Sequence, residues 1–402
     1  MLEKYIPKRF ATAMIKHVIA VTLFFPYFYA KNDNPAYADF VLANFFAILA
    51  MVFICTSWKL EFKRNAIFVT GLSILLVAYN VCATYMNVKY HHWYGEQINT
   101  TIAFLFFIVL LLVKDIHALI DSSTIKATIH MIVASNVLAI LFRVFTGYNQ
   151  LRFMNDWVYL TTYKERVQEQ FAWLYGHKCE YGLMLVLCVA FCVVYRKHFQ
   201  NIFTYVLSLG VLYVALYLSD SYTALGASLL IFVGQFLDYL WKARWWKKLI
   251  AAVVVPMPLL IIGKEFFSQI NEHRNLLTLG ARLPIWKKFT ELIIANPNGI
   301  GPFFSNKLFL VPHVVKTNNC HNVFLNHMFR FSIPVGGIFT ALLLLIFFIS
   351  IKRNLTFLSL FTWIAILIPM TMDSSINAIE LPLLITLIFV LFFYVTNNAP
   401  KK

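Results

Sequence analysis

Apolar runs of about bilayer length follow one another along almost the whole chain, and this leaves few folds open. In hydrocarbon every backbone N–H and C=O must find a partner inside the protein, so a lone run of this kind crosses as a helix. A crossing takes about 20 residues. Runs of that order lie near residues 11–30, 38–57, 66–84, 100–113, 127–146, 179–195, 202–219, 222–240, 249–263, 331–350, 355–373 and 381–396. Charged residues are 13% of the 402, about half the share usual in soluble proteins, so no extended soluble domain fits beside the spans. The chain reads as an all-α polytopic membrane protein with about 12 transmembrane helices.

Charge gives the spans a direction. Twelve crossings return both termini to one side. The links bearing Lys59, Lys63 and Arg64, then Arg196 and Lys197, then Lys242, Arg244, Lys247 and Lys248, and finally Lys352 and Arg353 fall on that same side. Short basic loops mark it as cytoplasmic. Lys4, Lys8 and Arg9 precede the first run, Lys16 interrupts it, and no small-residue cleavage site closes it, which predicts an uncleaved span. The net charge of +16 comes in small groups between apolar runs, a pattern of membrane lipids and anionic ligands and not of nucleic acid. Six cysteines sit mostly within apolar runs without C-x-x-C spacing, and read as small hydrophobes.

Two links on the opposite side are long. Residues 1–263 hold spans one to nine with a loop near 147–178, residues 264–330 form a large loop between spans nine and ten, and residues 331–402 hold the last three spans. Loops this long are uncommon unless functional or disordered, and aromatic and amphipathic patterning argues against disorder. The large loop carries Arg274, Arg282, Lys287, Lys288, Lys307, His313, Lys316, His321, His327 and Arg330 against Glu265, Glu272 and Glu291. Such basicity on the outer side calls for an anionic partner, either a ligand or lipid headgroups. Ile285, Phe289, Leu292 and Ile293 keep helical spacing and predict a helix over Pro284–Ala295, with Arg282 just before it. Asn296 to Pro302 forces turns. A second helix is expected from Asn318–Asn319, with His321 in its first turn, where a helix N-terminus favours an anion.

Arg282 and His321 are the candidate reactive pair. A guanidinium offers a planar, permanently charged fork for phosphate oxygens, and an imidazole takes a proton from a hydroxyl near neutral pH. The pair suits transfer from a diphosphate leaving group to an alcohol. The plainer alternative is that Arg282 meets headgroups and His321 caps a helix. His313, Cys320, His321 and His327 match no common zinc spacing, and no D-x-D carboxylate pair is present to hold a metal against a nucleotide sugar. The expectation is a reaction without metal or cofactor. Asp220, at a span end, is either an acceptor for a nearby basic group or a cap.

The stretch Gly280-Ala281-Arg282-Leu283-Pro284-Ile285-Trp286, followed by Asn296-Pro297-Asn298-Gly299-Ile300-Gly301, resembles the R-x-x-x-W and P-x-x-G-x-G segment of the O-antigen ligase and polymerase superfamily. His321-Asn322-x-x-Leu325, followed by a glycine-bearing span, resembles its H-N-x-x-L signature, and Tyr175-Gly176-His177-Lys178 is similar to a Y-x-H-R stretch of some ligases. The resemblance covers topology along the chain and motifs over about 60 residues. It implies a GT-C-like frame and an inner-membrane ligase moving polysaccharide from undecaprenyl diphosphate to lipid A–core oligosaccharide at the periplasmic face. It further implies that Arg282 contacts the donor diphosphate with Lys178 near the phosphates, and the basic loop itself offers Arg274, Lys287 or Lys288 as further cations for it. His321 would serve as base, with Asn322, His177 and Tyr222 in support. The rival readings are an O-antigen polymerase using the same donor and a lipid-linked oligosaccharide flippase. Two positions depart from the pattern: Ser219–Thr223 lacks the arginine that relatives carry at the start of span eight, and Ser332 stands where they have glycine.

Overall fold

The computed structural model describes residues 66–90, 95–112, 122–154, 157–161, 171–175, 177–246, 279–300, 309–311, 314–317, 320–353 and 355–372. In chain order its elements are α1 (Ala66–Tyr90), α2 (Gly95–Leu112), α3 (Ser122–Thr146), strands β1 (Gln150–Met154) and β2 (Trp157–Thr161), α4 (Lys178–Val194), α5 (Ile202–Leu218) and α6 (Tyr222–Lys242). There follow α7 (Arg282–Ala295), β3 (Phe309–Val311), β4 (Val314–Thr317), α8 (Val323–Phe331), α9 (Ile333–Arg353) and α10 (Phe357–Met372). Among the described residues four stretches are long and apolar enough to cross a membrane: Ala66–Met86, Ser122–Thr146, Tyr222–Lys242 and Ile333–Lys352. Shorter apolar helices include Ile202–Leu218 and Phe357–Met372. Eight of the twelve expected spans coincide with helices. Those near 11–30, 38–57, 249–263 and 381–396 lie outside the described residues, as does Arg274.

The bundle is built around α4. Every residue of α4 from Lys178 to Val193 is buried, because α3, α5, α6 and α10 all pack against it. A helix apolar all round has no lipid-facing or water-facing side to spend. Close approach to α6 depends on Gly182, where an added Cβ would come within 2.6 Å of Ser221 Oγ. Single polar contacts stitch neighbouring helices together: Tyr181 Oη donates to Asn136 Oδ1 across α4 and α3 (2.8 Å), and Gln97 on α2 donates to Asn80 Oδ1 on α1 (2.9 Å). Interhelical contacts of this kind are worth roughly 0.6–2 kcal/mol each in lipid.

The helices run between two ends. At one, Asp238 on α6 accepts from the backbone N–H of Phe357 (2.8 Å) and Leu358 (2.9 Å), capping α10 with a carboxylate. Ser122 meets His198 there at 3.1 Å, and the Lys352 ammonium lies over the Phe68 ring. Arg196, Lys197, Lys242 and Arg244 share this end, the one predicted to be cytoplasmic. The far end carries Lys178, Asp220 and the C-terminus of α10.

Two antiparallel hairpins, β1–β2 and β3–β4, stand beside the helices of the described residues. They lie in the two long links, where no strand was expected. The signal was present in the second strand, where Trp157, Val158, Tyr159 and Thr161 all favour strands, whereas the first offers only Phe153.

α8 and α9 form a tight hairpin with one residue, Ser332, between them. Ser332 has φ 140° and ψ 164°, a region essentially reserved for glycine. This is the residue that replaces the expected glycine. Its hydroxyl accepts from Val335 N (3.2 Å) at the start of α9. Gly336 lets the two helices touch, since a Cβ there would fall 2.6 Å from Met328 N. Gly299, at φ 76°, brings the Asn296–Gly299 turn within equal closeness of the Phe331–Ser332 backbone. Ser332→Gly should therefore raise stability by roughly 1 kcal/mol, as released strain outweighs the lost cap and the looser unfolded chain. Gly336→Val should lower it. Melting in detergent checks both, and a fall in Tm with Ser332→Gly would contradict the strain.

Candidate functional site

The last carbonyls of any helix lack intrahelical partners. At the end of α10 two of them are met by residues from the large loop. Arg282 Nε donates to Met372 O, and Asn322 Nδ2 donates to Thr371 O at 3.0 Å. Arg282 Nη1 also donates to Leu279 O (3.2 Å). The guanidinium is buried, 7% exposed, and sits at the negative end of the α10 dipole, which favours a cation. Asn322 works in two directions. Its Oδ1 accepts from Leu325 N (3.0 Å) as the N-cap of α8, while its amide nitrogen reaches α10. His321 immediately precedes it. Arg282 and the His321–Asn322 pair, 39 residues apart in the chain, are thus anchored to consecutive carbonyls of one helix end.

α8 begins later than expected. Its first residue is Val323, so His321 lies before the cap and not inside the first turn. Asn322 has the capping geometry that Asn318 and Asn319 were assigned, and His321 takes a left-handed φ of 45°. α7 begins at Arg282 itself, two residues before the expected Pro284. Leu279, Gly280 and Ala281 lead into it with φ of 51°, 65° and 70°. Every non-glycine positive φ among the described residues (Trp173, Asp220, Leu279, Ala281, His321 and Ser332) falls at the α10 C-terminal end of the bundle or in the links leading to it. Left-handed backbone costs roughly 1–2 kcal/mol per residue, and such cost persists where surrounding contacts enforce it.

The amphipathic reading of α7 holds, with Arg282, Ile285, Phe289 and Ile293 on the buried face. Phe289 meets Phe329 of α8 edge-on at 4.8 Å, and Cys320 is sealed between them. Lys287 is exposed and Lys288 partly so, the latter 3.9 Å from Glu291. The structure does not bring these lysines onto the Arg282 face.

Lys178 has a carboxylate partner of its own. Its ammonium is buried and pairs with Asp220 Oδ2 at 3.0 Å, adding a contact to Asp220 O at 3.3 Å. Asp220 is thereby the acceptor for a basic group, one of the two roles expected of it. His177 caps α4: its Nδ1 accepts from Cys179 N (3.3 Å), and Glu180 returns a bond to His177 N (3.0 Å). Tyr222 opens α6 beside Asp220, half-buried.

His327 belongs to the packing of α8. Its ring stacks on Phe339 at 4.0 Å and faces Tyr79 and Phe331, with Nε2 buried and unpartnered. Burial and the neighbouring Arg330 push its pKa down to about 3. Among the described residues no three His, Cys, Asp or Glu side chains are grouped to hold a metal, and Cys179 and Cys320 are free thiols. The helix-end carbonyls were not foreseen, nor was Lys178 as the basic group that Asp220 accepts from. Only the isolation of Asp220 amid apolar spans hinted at the pair. Compared with known proteins, the chain matches no family model and no curated protein.

An imidazole with a pKa near 3 when folded and near 6.5 when unfolded contributes stability that is complete above pH 6.5 and declines as pH falls toward 3. The Tm should drop between pH 7 and pH 5, and less so in His327→Phe. Equal acid sensitivity in the two proteins would remove His327 as its cause.

Proposed function

We propose that the protein is a glycosyltransferase of the O-antigen ligase type, transferring polysaccharide from undecaprenyl diphosphate to a sugar hydroxyl of lipid A–core. The observation that supports it is the convergence of Arg282 and Asn322 on Met372 O and Thr371 O, which carries His321 to the same helix end as the guanidinium. The four apolar stretches long enough to cross a membrane suit two lipid-linked substrates.

In this reading the acceptor hydroxyl oxygen attacks the anomeric carbon of the sugar joined to the diphosphate. The carbon–oxygen bond to phosphate breaks, the hydroxyl proton passes to His321, and undecaprenyl diphosphate leaves with the bonding electrons. Arg282 stabilises the charge gathering on the departing phosphate. Backbone carbonyls already hold its Nε and Nη1, so the planar group does not have to reorganise as the bond breaks. A charge fixed in advance is worth about 3–4 kcal/mol to a transition state. Lys178, already neutralised by Asp220, supports the α4–α6 junction and does not bind phosphate.

Purified protein, lipid-linked polysaccharide and lipid A–core provide the test. Arg282→Ala should slow transfer roughly 100- to 1,000-fold, and Arg282→Lys should fail to restore it because an ammonium lacks the fork. His321→Ala should lose rate by a similar order with its residual activity rising with pH. Full activity in His321→Ala would remove the base. Extension of the donor without any transfer to lipid A–core would instead identify a polymerase.

A further inference from the structure

α7 has a second face that the reaction does not use. Lys287 lies five residues beyond Arg282, roughly 140° round the helix, and shares its side with Leu283 (44% exposed) and Ile294 (69% exposed). Lys288 flanks it. The two lysines stand about 140° and 120° round the helix from Arg282, off the face that a diphosphate on Arg282 would meet.

Building on the transferase reading, we propose that this outward face of α7 seats the headgroup phosphates of the acceptor glycolipid. Exposed leucine and isoleucine interleaved with lysine is the pattern of a helix lying in a membrane interface, with apolar side chains entering the acyl boundary and cations meeting phosphate. Lys287 has no ion pair among the described residues. The Lys288–Glu291 contact is long, and both partners are exposed (37% and 56%), so it yields readily to a phosphate.

The geometry favours the acceptor over bulk phospholipid. The opposite side of α7 packs through Phe289 on α8, whose cap adjoins His321. A lipid on the outward face is therefore about one helix diameter, ~10–12 Å, from the proposed base. A core oligosaccharide spans that gap, and a phospholipid headgroup has no sugar to send across it. Placing donor and acceptor phosphates on opposite sides of one helix also keeps the two anions from competing for one cation.

The test uses the full-length protein in phosphatidylcholine nanodiscs, with fluorescent lipid A–core as the probe. Lys287→Glu/Lys288→Glu should weaken binding by more than the roughly thirtyfold that removal of two phosphate-facing lysines costs. Lys287→Gln/Lys288→Gln should weaken it less with melting unchanged, and Arg282→Ala should leave it intact. Lipid A–core stripped of its phosphates should bind the wild-type protein as poorly as intact lipid A–core binds the Lys287→Gln/Lys288→Gln variant. Undiminished binding by the charge-reversed variant, or equal competition from phosphatidylglycerol, would overturn the proposal. Lysine-dependent binding in a protein that transfers nothing would sink the transferase reading while leaving the docking face in place.

Discussion

The carbonyl end of α10 is the constraint on which the rest of this site depends. A helix that finishes inside a protein must have its last carbonyls satisfied, and near hydrocarbon water cannot be counted on to do so. Here an arginine and an asparagine from separate parts of the large loop supply the donors. The need is structural, yet its consequence is chemical. Because the same helix end requires both groups, it fixes the cation and the residue beside the imidazole with respect to each other.

α10 is in turn held at its other end by Asp238, whose carboxylate takes two backbone N–H groups. A negative group at the N-terminus and a positive one at the C-terminus both complement the helix dipole. Gly234 allows α6 and α10 to lie close, a Cβ there falling 2.8 Å from Phe357 O. The helix under the candidate site is therefore a fixed post, clamped by charge at both ends and by close packing along its length. Around it the loop segments accept left-handed backbone at Leu279, Ala281 and His321, the conformational cost of reaching one point from several directions.

Much of this was legible in the residues because lipid imposes a simple rule. Eight helices follow apolar runs to within a few residues, and the buried face of α7 follows from Ile285, Phe289 and Ile293. What was not legible depends on pairing across the chain. Lys178 and Asp220 were each visible, but 42 residues separate them, and nothing local says they meet. Asn322 could be named as a neighbour of the base, whereas its partner is a backbone carbonyl, which no side-chain pattern reveals. Lys287 and Lys288 were grouped with Arg282 on composition, although helical phase alone turns them away. Ser332 shows the opposite case: a glycine was expected there, and the backbone has kept the conformation that glycine would adopt.

The claim that Arg282 and His321 act as one unit is tested most directly by a double-mutant cycle on the transfer rate, comparing Arg282→Ala, His321→Ala and the combined variant. Groups that serve one transition state are strongly non-additive, so the double variant should be little slower than the slower single one. Losses that simply multiply would mean the two residues work apart, and the shared helix end would then be architecture without a mechanism.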